Sequence, residues 1–229
     1  MRRSTTRDYL EALLVAVILA TFARTYVLQV FKIPSGSMED TLLVGDHILV
    51  NKFIYSGGPE PSPWAPHRDV RRGDVVVFKW PLDPGRDFIK RCVGLPGDRI
   101  ELADKMLLVN GQAVDESAYA HFTDDRTFPN ALFLPDEYRL RDNFGAFTVP
   151  EGHLFFLGDN RDSSDDSRFW GTVPVDHLKG RALLVYWSFD SGVEHTEWPG
   201  YAGRIRQLGE VAAKFFTHTR WDRSMRVVR

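Results

Sequence analysis

The chain has 229 residues, of which 43% are hydrophobic and 26% are charged. This composition excludes a disordered, collagenous or coiled-coil chain, and the net charge of −2 argues against a protein that binds nucleic acid through its overall charge. The only cysteine, Cys92, excludes an intrachain disulfide framework and a metal site with several cysteine ligands.

An apolar segment near the N-terminus, residues 9–31, is the first predicted element. It is long enough for a transmembrane helix, which needs about 20 residues, and every residue from Ala12 to Ala23 is apolar or threonine. Arg2, Arg3 and Arg7 precede the segment, and the positive-inside rule places such residues in the cytoplasm. We therefore expect a cytoplasmic N-terminus over 1–8, a membrane anchor over 9–31 and an extracytoplasmic body over 32–229.

A cleaved signal peptide is the alternative for the same segment. The basic start, the short apolar region and the small-residue pattern Thr21-Phe22-Ala23 favour it. The anchor is the better interpretation because the apolar run resumes after Arg24. A buried core helix fits less well, since the segment is apolar on all sides rather than along one stripe.

The body after Phe31 has the pattern of a β-rich domain, in which short apolar runs are separated by glycine, proline and aspartate. The predicted strands span residues 47–55, 74–80, 88–93, 99–102, 106–109, 113–114, 153–157 and 178–189. Asn110-Gly111 predicts a tight hairpin, because both central residues of a type I′ turn need positive φ. Residues 56–72 are rich in glycine and proline and predict an exposed loop. Residues 118–143 lack periodicity and are interpreted as an insertion.

An amphipathic helix is predicted over 204–217, near the end of the chain. Its apolar stripe consists of Ile205, Leu208, Val211, Ala212, Phe215 and Phe216. The tail from 204 to 229 carries a net charge of +5, against −7 for the rest of the chain. We favour packing of the stripe on the body. The alternative is a helix that lies on the membrane with Arg204, Arg206 and Lys214 at headgroup level.

Several common catalytic and binding motifs are absent from the sequence. It has no HExxH zinc motif, no phosphate-binding GxxxxGK[ST], no GxGxxG and no GxSxG elbow. The acidic run 159–166 fails as a calcium loop started at Asp162, because Ser167 stands at its sixth position and Val173 at its twelfth. We therefore expect no metal and no organic cofactor.

Three polar segments remain as candidates for chemistry. The loop Pro34-Ser35-Gly36-Ser37 can expose a hydroxyl, and serine becomes a nucleophile when a base takes its proton. A lysine can be that base if burial lowers its pKa, and Lys90 lies in a strongly apolar strand. The third segment, 158–171, is densely polar after an apolar strand. Each segment alone has an ordinary explanation, as a turn, a solvated strand residue and a charged surface loop.

Together, in this order, the segments resemble bacterial type I signal peptidases, Ser/Lys proteases that remove signal peptides from exported preproteins. The resemblance covers about 30–55, 74–99 and 153–171, with PSGSM at 34–38, FIKRCVGLPGD at 88–98 and GDNRDSSDDSR at 158–168. It implies a mainly β fold, with an N-terminal transmembrane helix and a β-rich catalytic body that carries an inserted second lobe over 100–152. Asp40 departs from the family, in which many members have proline, and we expect it to loosen the turn after Ser37.

The resemblance also implies a role for each matching residue. Ser37 corresponds to the nucleophile, Lys90 to its general base, and Ser35 to the hydroxyl that forms an oxyanion hole with the Ser37 N–H. Ser164 corresponds to the serine that hydrogen-bonds and orients the lysine. Asp166 and Arg168 correspond to a supporting ion pair, and Asp159, Asn160 and Arg161 to a structural turn. The expected walls of the pockets for small substrate side chains are Phe31, Ile33, Pro34, Met38, Leu42 and Ile89.

The expected function is thus that of a monomeric, single-pass serine endopeptidase of the bacterial cytoplasmic membrane. Its partners would be exported preproteins and the lipid bilayer, with no nucleic acid. One rival is a self-cleaving repressor of the LexA type, which would need an N-terminal helix-turn-helix where this chain has an apolar run. Another is a secreted, β-rich binding protein without enzymatic activity, which would leave the coincidence of the three motifs unexplained.

Overall fold

The N-terminal helix α1, Thr5–Phe22, opens the computed structural model, which describes residues 5–55, 68–190 and 201–229. The large apolar side chains of α1 from Tyr9 to Phe22 are exposed. Over these described residues, no helix combines the length and the apolar character that crossing a membrane requires. Of the predicted loop 56–72, residues 56–67 lie outside the described residues.

The apolar run of the N-terminal segment ends in a strand. A π-helical turn, Ala23–Val27, follows α1 and leads into the strand Leu28–Lys32. This differs from the sequence-based expectation of a single segment up to Phe31. The backbone groups of residues 28–32 pair with residues 47–51 of the next strand, so the apolar residues after Arg24 belong to the edge of a sheet. Its polar residues Gln29 and Lys32 suit an edge strand.

The body is mainly β, as expected, and its strands form two antiparallel sheets. The strands are β1 Leu28–Lys32, β2 Asp46–Asn51, β3 Val75–Trp80, β4 Asp83–Gly94, β5 Arg99–Ala103, β6 Met106–Val109, β7 Gln112–Ala113, β8 Phe144–Thr148, β9 His153–Leu157, β10 Val173–Pro174, β11 Leu178–Ser188 and β12 Arg226–Val227. The larger sheet has the order β1-β2-β11-β3-β4-β9-β10, with β12 paired to β11. The smaller sheet has the order β7-β6-β5-β8.

The smaller sheet belongs to the segment predicted as a second lobe. The predicted hairpin joins β6 to β7, with positive φ at both Asn110 and Gly111. Strand β8 was not predicted, because Phe144–Thr148 has no clear apolar alternation. Between β7 and β8 the chain is mostly irregular, with one short helix, α2, Asp136–Arg139. Side chains of β4, β5, β6 and β9 share one apolar cluster, which joins the two sheets.

Another apolar cluster supports the loop between β1 and β2. Side chains of β2, β3 and β11 form it together with Ile33, Met38 and Leu42 from that loop. Because these three side chains are buried, they anchor the loop to the core. The polar residues Ser35 and Ser37, which lie between them in the sequence, are thereby held at the surface of the sheet. The third cluster lies around β3, β4 and β9 and includes Cys92 and Phe88. It provides the apolar surroundings that the sequence predicted for this part of β4.

The C-terminal part of the chain packs on the end of β11. After the short helix α3, Ser167–Trp170, and strand β11, the helix α4 spans Tyr201–His218 and contains the predicted 204–217. The side chains of 201–208 lie outside the described residues, so the first half of the predicted stripe is not assessed. Further along, the Phe215 ring lies 6.0 Å from that of Trp187, whereas Phe216 is 79% exposed. Phe215 thus packs on the body, as the favoured interpretation expects.

Candidate active site

Ser37 occupies the middle of a single 3-10 turn, Gly36–Met38, between β1 and β2. The next side chain, Met38, is completely buried in the core, as is Leu42. This burial fixes the turn and leaves the Ser37 side chain half-buried at the edge of the core. The N–H groups in the first turn of a helix have no intrahelical acceptor, so the Ser37 N–H is suited to donate a hydrogen bond to a developing negative charge on a bound group.

Lys90 reaches Ser37 from the centre of the larger sheet. It lies in β4, opposite Val76 of β3, and its residue is only 3% exposed. Its Nζ lies 2.5 Å from Oγ of Ser37, a hydrogen-bond distance. Nζ also lies 5.9 Å from the centre of the Phe88 ring, on the same strand face. The two residues predicted as nucleophile and base are therefore in direct contact.

The pKa of Lys90 is lowered to about 8, mainly because burial disfavours the ammonium form. The carboxylates of Asp166, Asp165 and Asp159 oppose this shift, while the Arg168 guanidinium adds to it. An ordinary lysine is almost fully protonated at neutral pH. Here a useful fraction of Lys90 is the neutral amine, which can accept the proton of the Ser37 hydroxyl.

Arg91, next to Lys90 in β4, forms a buried ion pair with Asp159. Its Nε and Nη2 each lie 2.7 Å from a different carboxylate oxygen of Asp159, and both side chains are almost inaccessible to solvent. Arg91 also donates to the Gly73 carbonyl at 2.7 Å. This two-pronged geometry ties the turn that follows β9 to the strand that carries Lys90.

Asn160 connects the same turn to the serine loop. Its backbone N–H donates to the Ser37 carbonyl at 3.2 Å, and its Nδ2 donates to the Gly36 carbonyl at 3.2 Å and to Oε2 of Glu39 at 3.3 Å. The close approach requires a glycine at 158, because a Cβ there would lie 2.5 Å from the Ser37 carbonyl oxygen. The predicted structural turn is thus in contact with the nucleophile itself.

Arg161 joins the turn to the second lobe. Its two terminal nitrogens donate to the carboxylate of Glu116 at 2.6 Å and 2.5 Å, and both side chains are buried. Sequence reasoning missed Glu116, which stands in the run Asp115-Glu116-Ser117 and has no motif around it. Glu116 and Arg161 are 45 positions apart in the sequence, and only the fold brings them into contact.

Asp166 and Arg168 form the predicted ion pair, and it is completely buried. The guanidinium meets both carboxylate oxygens at 2.8 Å, and Asp166 Oδ2 also accepts the Gly158 N–H at 3.0 Å. Burial opposes ionisation of Asp166, but the Arg168 charge and hydrogen bonds hold the pKa of Asp166 below its usual value. Arg168 further donates to the carbonyls of Arg141 and Arg161 at 2.6 Å and 2.7 Å.

Ser164 does not make the expected hydrogen bond to Lys90. Its Oγ is buried and has no hydrogen-bond partner among the described residues. The side chain instead lies against Gly158, where a Cβ would come within 2.1 Å of the Ser164 Oγ. The prediction placed Ser164 next to the lysine on the resemblance alone. In the structure, the amine has Ser37 as its partner.

The expected pocket walls divide into buried and accessible residues. Met38 and Leu42 have no exposed surface and Ile33 is 2% exposed, so these three expected pocket residues lie in the core beneath the site and not on its accessible surface. Their side chains are drawn inward by the apolar cluster under the loop. Phe31 and Ile89 are half-buried against that cluster, and Pro34 and Ser35 are exposed. The accessible apolar surface beside Ser37 is therefore provided by Phe31, Pro34 and Ile89.

Asp40 closes the serine loop in a conformation that proline cannot adopt. Its φ is +73°, whereas proline is restricted to about −65°. Nδ1 of His121 lies 2.8 Å from Oδ2 of Asp40, and the backbone N–H of His121 donates to the Asp159 carbonyl at 2.7 Å. His121 of the segment between β7 and β8 thus contacts the turn that Asp40 was expected to loosen. No sequence signal pointed to His121.

Known proteins resemble this chain over most of its length. A family model described as signal peptidase, peptidase S26, matches residues 6–187. A signal peptidase I from Pseudomonas fluorescens is 36% identical over 209 residues, which cover 80% of this chain and 72% of that protein. One from Aquifex aeolicus is 35% identical over 226 residues, covering 80% of this chain and 84% of that protein.

A crystal structure of a signal peptidase I from Enterococcus faecalis aligns with 50% of this chain and 97% of that one, at 30% identity and a TM-score of 0.37. The family match spans both the serine loop and the lysine strand, and extends through the turn after β9. The chain therefore belongs to the signal peptidase family, peptidase S26, and is a hydrolase of the serine endopeptidase type.

Proposed function

We propose that this enzyme removes N-terminal signal peptides from exported preproteins, with Ser37 as nucleophile and Lys90 as general base. One observation carries the proposal: the buried Lys90 amine, whose pKa is lowered to about 8, lies 2.5 Å from the Ser37 hydroxyl oxygen. The signal peptidases I to which the chain is similar support the choice of substrate.

In the acylation step, neutral Lys90 takes the Ser37 proton as Oγ attacks the carbonyl carbon before the cut. The tetrahedral intermediate carries its negative charge on the former carbonyl oxygen. The Ser37 N–H and the Ser35 hydroxyl are the proposed donors to that oxygen. When the C–N bond breaks, the Lys90 ammonium returns the proton to the leaving amine, which becomes the N-terminus of the mature protein.

In the deacylation step, Lys90 takes a proton from water as the water oxygen attacks the ester carbonyl. The bond to Ser37 Oγ breaks, Oγ recovers a proton from Lys90, and the signal peptide leaves with a new carboxylic acid group, which releases its proton to solvent. While Ser37 is esterified it can no longer donate to the Lys90 amine. In this acyl-enzyme, the partner that we propose for orienting Lys90 is Ser164, whose buried hydroxyl has no partner among the described residues of the free enzyme.

We further propose that the residue before the cut has a small, uncharged side chain. The accessible surface beside Ser37 comes from Phe31, Pro34 and Ile89, which have no side-chain donor or acceptor for a charged group. A preprotein with alanine at that position should be processed, and one with lysine should not. Equal cleavage of the two would contradict the pocket.

We infer that α1 attaches the enzyme to the bacterial cytoplasmic membrane through its exposed apolar side chains. The apolar side chains of α1 are exposed over several turns, which is more apolar surface than a soluble protein normally presents. Carbonate extraction of membranes from expressing cells is the direct test. Recovery of the full-length chain in the extracted supernatant would contradict the anchor.

The principal test is cleavage of a preprotein by detergent-solubilised enzyme, with wild type compared to Ser37→Ala. Ser163→Ala is the matched control, because Ser163 is an exposed serine near the same site. We expect Ser37→Ala to lose cleavage and Ser163→Ala to retain it, with the product identified by N-terminal sequencing of the mature protein. Full turnover by Ser37→Ala would show that another group is the nucleophile.

A further inference from the structure

The chain after α4 returns to the two segments that carry Ser37 and Lys90. We propose that residues 219–229, here called the C-terminal strap, position the serine loop against the lysine strand. The proposal rests on the function proposed above, since it concerns the geometry of the same two residues. The family match ends at residue 187, so the strap lies outside the part of the chain that the family model covers.

The first contact of the strap is with the end of the serine loop. The buried Arg223 donates from Nη2 to Asp46 Oδ2 at 2.7 Å and to the Thr41 carbonyl at 3.1 Å. Asp46 is completely buried, and its Oδ2 also accepts the Leu43 N–H at 2.9 Å. Arg223 therefore holds the loop at two points, and one of them lies four residues after Ser37.

Asp46 also closes the loop through its backbone, because its carbonyl accepts the Ile33 N–H at 2.8 Å. Two residues before Asp46, the Val44 carbonyl accepts a hydrogen bond from Arg220 of the strap at 2.6 Å. Gly45 has φ +89°, and a Cβ there would lie 2.1 Å from the Phe189 carbonyl oxygen. The end of the loop, the residue that follows β11 and the strap thus contact one another at Val44 and Gly45.

The second contact is with the core beneath Ser37. Strand β12 pairs with β11, and the Val228 N–H donates to the Leu183 carbonyl at 2.9 Å. The Val228 side chain is buried in the same apolar cluster as Met38 and Leu42. The strap therefore contributes to the apolar cluster that also holds Met38, the residue directly after the nucleophile.

The third contact is with the strand that carries the base. Arg91, adjacent to Lys90, donates from Nη2 to the Arg229 carbonyl at 3.0 Å. The same nitrogen lies 2.7 Å from Asp159 Oδ2 and 3.3 Å from Thr41 Oγ1. The strap, the turn after β9, the serine loop and β4 thus converge on one guanidinium.

This arrangement places the strap as a positioning element rather than a source of catalytic groups. A displacement of about 1 Å at a reacting centre can lower a rate by about 10². Loss of Arg223 would release the serine loop at Thr41 and Asp46. Its described contacts do not include Phe31, Pro34 or Ile89, which form the accessible apolar surface for the substrate. The effect should therefore fall on kcat and leave KM nearly unchanged.

The test uses the full chain in detergent, with Arg223→Gln compared to wild type and to Arg226→Gln. Arg226 is the matched control, because its side chain is exposed and the change removes the same charge three residues further along. Rates are measured well below the melting temperature of each variant and are divided by the folded fraction from circular dichroism. We expect Arg223→Gln to lower kcat at least tenfold with KM within twofold, and Arg226→Gln to match wild type.

If Arg223→Gln does not fold, Arg223→Lys decides the question, since it keeps a positive charge beside Asp46 but lacks the planar fork. It should fold and show a several-fold lower kcat at unchanged KM. A kcat of the folded enzyme within twofold of wild type, with only the melting temperature reduced, would overturn the proposal and make the strap merely structural. Ser37→Ala in the same series separates the positioning role of the strap from the proposed function, because the activity of Ser37→Ala reports on the proposed function alone.

Discussion

Lys90 and Arg91 are adjacent in β4 and engage different parts of the site. Lys90 Nζ lies 2.5 Å from Ser37 Oγ, and Arg91 lies 2.7 Å from both carboxylate oxygens of Asp159. Asn160, which follows Asp159, donates its backbone N–H to the Ser37 carbonyl. Ser37 is therefore held directly by Lys90 and indirectly by Arg91, through Asp159 and Asn160. The catalytic contact and its scaffold are therefore linked through consecutive residues.

The rate of cleavage should rise with pH through about 8. Burial lowers the pKa of Lys90 to about 8, and only the neutral amine can take the Ser37 proton. Below this pH the amine is increasingly protonated, so activity should fall as pH decreases. Lys90→Arg should be inactive at every pH, because a guanidinium stays protonated. A pH–rate profile that stays flat down to pH 6, or activity in Lys90→Arg, would exclude Lys90 as the base.

The same burial should make Lys90 costly for stability. Its folded-state pKa is about 8 against 10.5 for a free lysine, and a pKa difference of one corresponds to about 1.4 kcal/mol. The unfolded chain binds the proton more tightly, so stability should rise with pH between about 8 and 10.5, and the destabilising effect of Lys90 is fully present below pH 8.

Lys90→Met should therefore raise the free energy of unfolding at pH 7, by on the order of 3 kcal/mol at most, while abolishing activity. Lys79→Met is the control, because Lys79 is exposed in the neighbouring strand and its replacement should change stability by about 0.5 kcal/mol or less. Chemical denaturation at pH 7 measures both. A lower free energy of unfolding for Lys90→Met than for wild type would contradict this prediction. It would mean that interactions of the amine other than its contact with Ser37 outweigh the cost of its burial.

Ser35→Ala should lower kcat by about 10²–10³ without abolishing cleavage, as for other single oxyanion donors. Ser35 is exposed, so the fold should be unaffected. Ser35→Thr, which keeps a hydroxyl, should recover part of the rate. If Ser35→Ala cleaved at the wild-type rate, the Ser37 N–H would have to stabilise the oxyanion without it.

Those features of the site that depend on local patterns could be predicted from the sequence. The strands follow from apolar runs between turns, and Ser37, Lys90 and the Asp166–Arg168 pair stand in compact motifs. The partners of those motifs could not be predicted, because Glu116 and His121 come from an irregular segment and acquire their roles only through the fold. Likewise, period-based reasoning could not tell that Met38 and Leu42 point into the core, since the loop that carries them has no regular period.

The buried pair Arg161–Glu116 should matter more for stability than an exposed pair of the same type. Removing one partner leaves a buried charge without compensation, which costs about 3–5 kcal/mol. Glu116→Ala should therefore destabilise the protein by this order. The control is Asp136→Ala, which breaks the Arg139–Asp136 pair, with Asp136 70% exposed; such pairs contribute about 0–1 kcal/mol. Equal losses in urea denaturation would mean that the second lobe is not held through Arg161.

Gly158→Ala should damage catalysis because of a close approach between two backbone segments. A Cβ at 158 would lie 2.1 Å from Ser164 Oγ and 2.5 Å from the Ser37 carbonyl oxygen, well inside van der Waals contact. To relieve the overlap, the serine loop would have to move away from the turn that binds it, so Ser37 Oγ would shift relative to Lys90 Nζ. We expect kcat to fall by about 10² or more, as for a displacement of about 1 Å at a reacting centre.

Gly145→Ala is the control, since a Cβ at that position meets no atom within 4 Å. Both variants are compared in the preprotein cleavage assay, with folding checked by circular dichroism. A folded Gly158→Ala enzyme with the wild-type rate would show that the turn can retreat without moving Ser37, and that this contact does not set the position of the nucleophile.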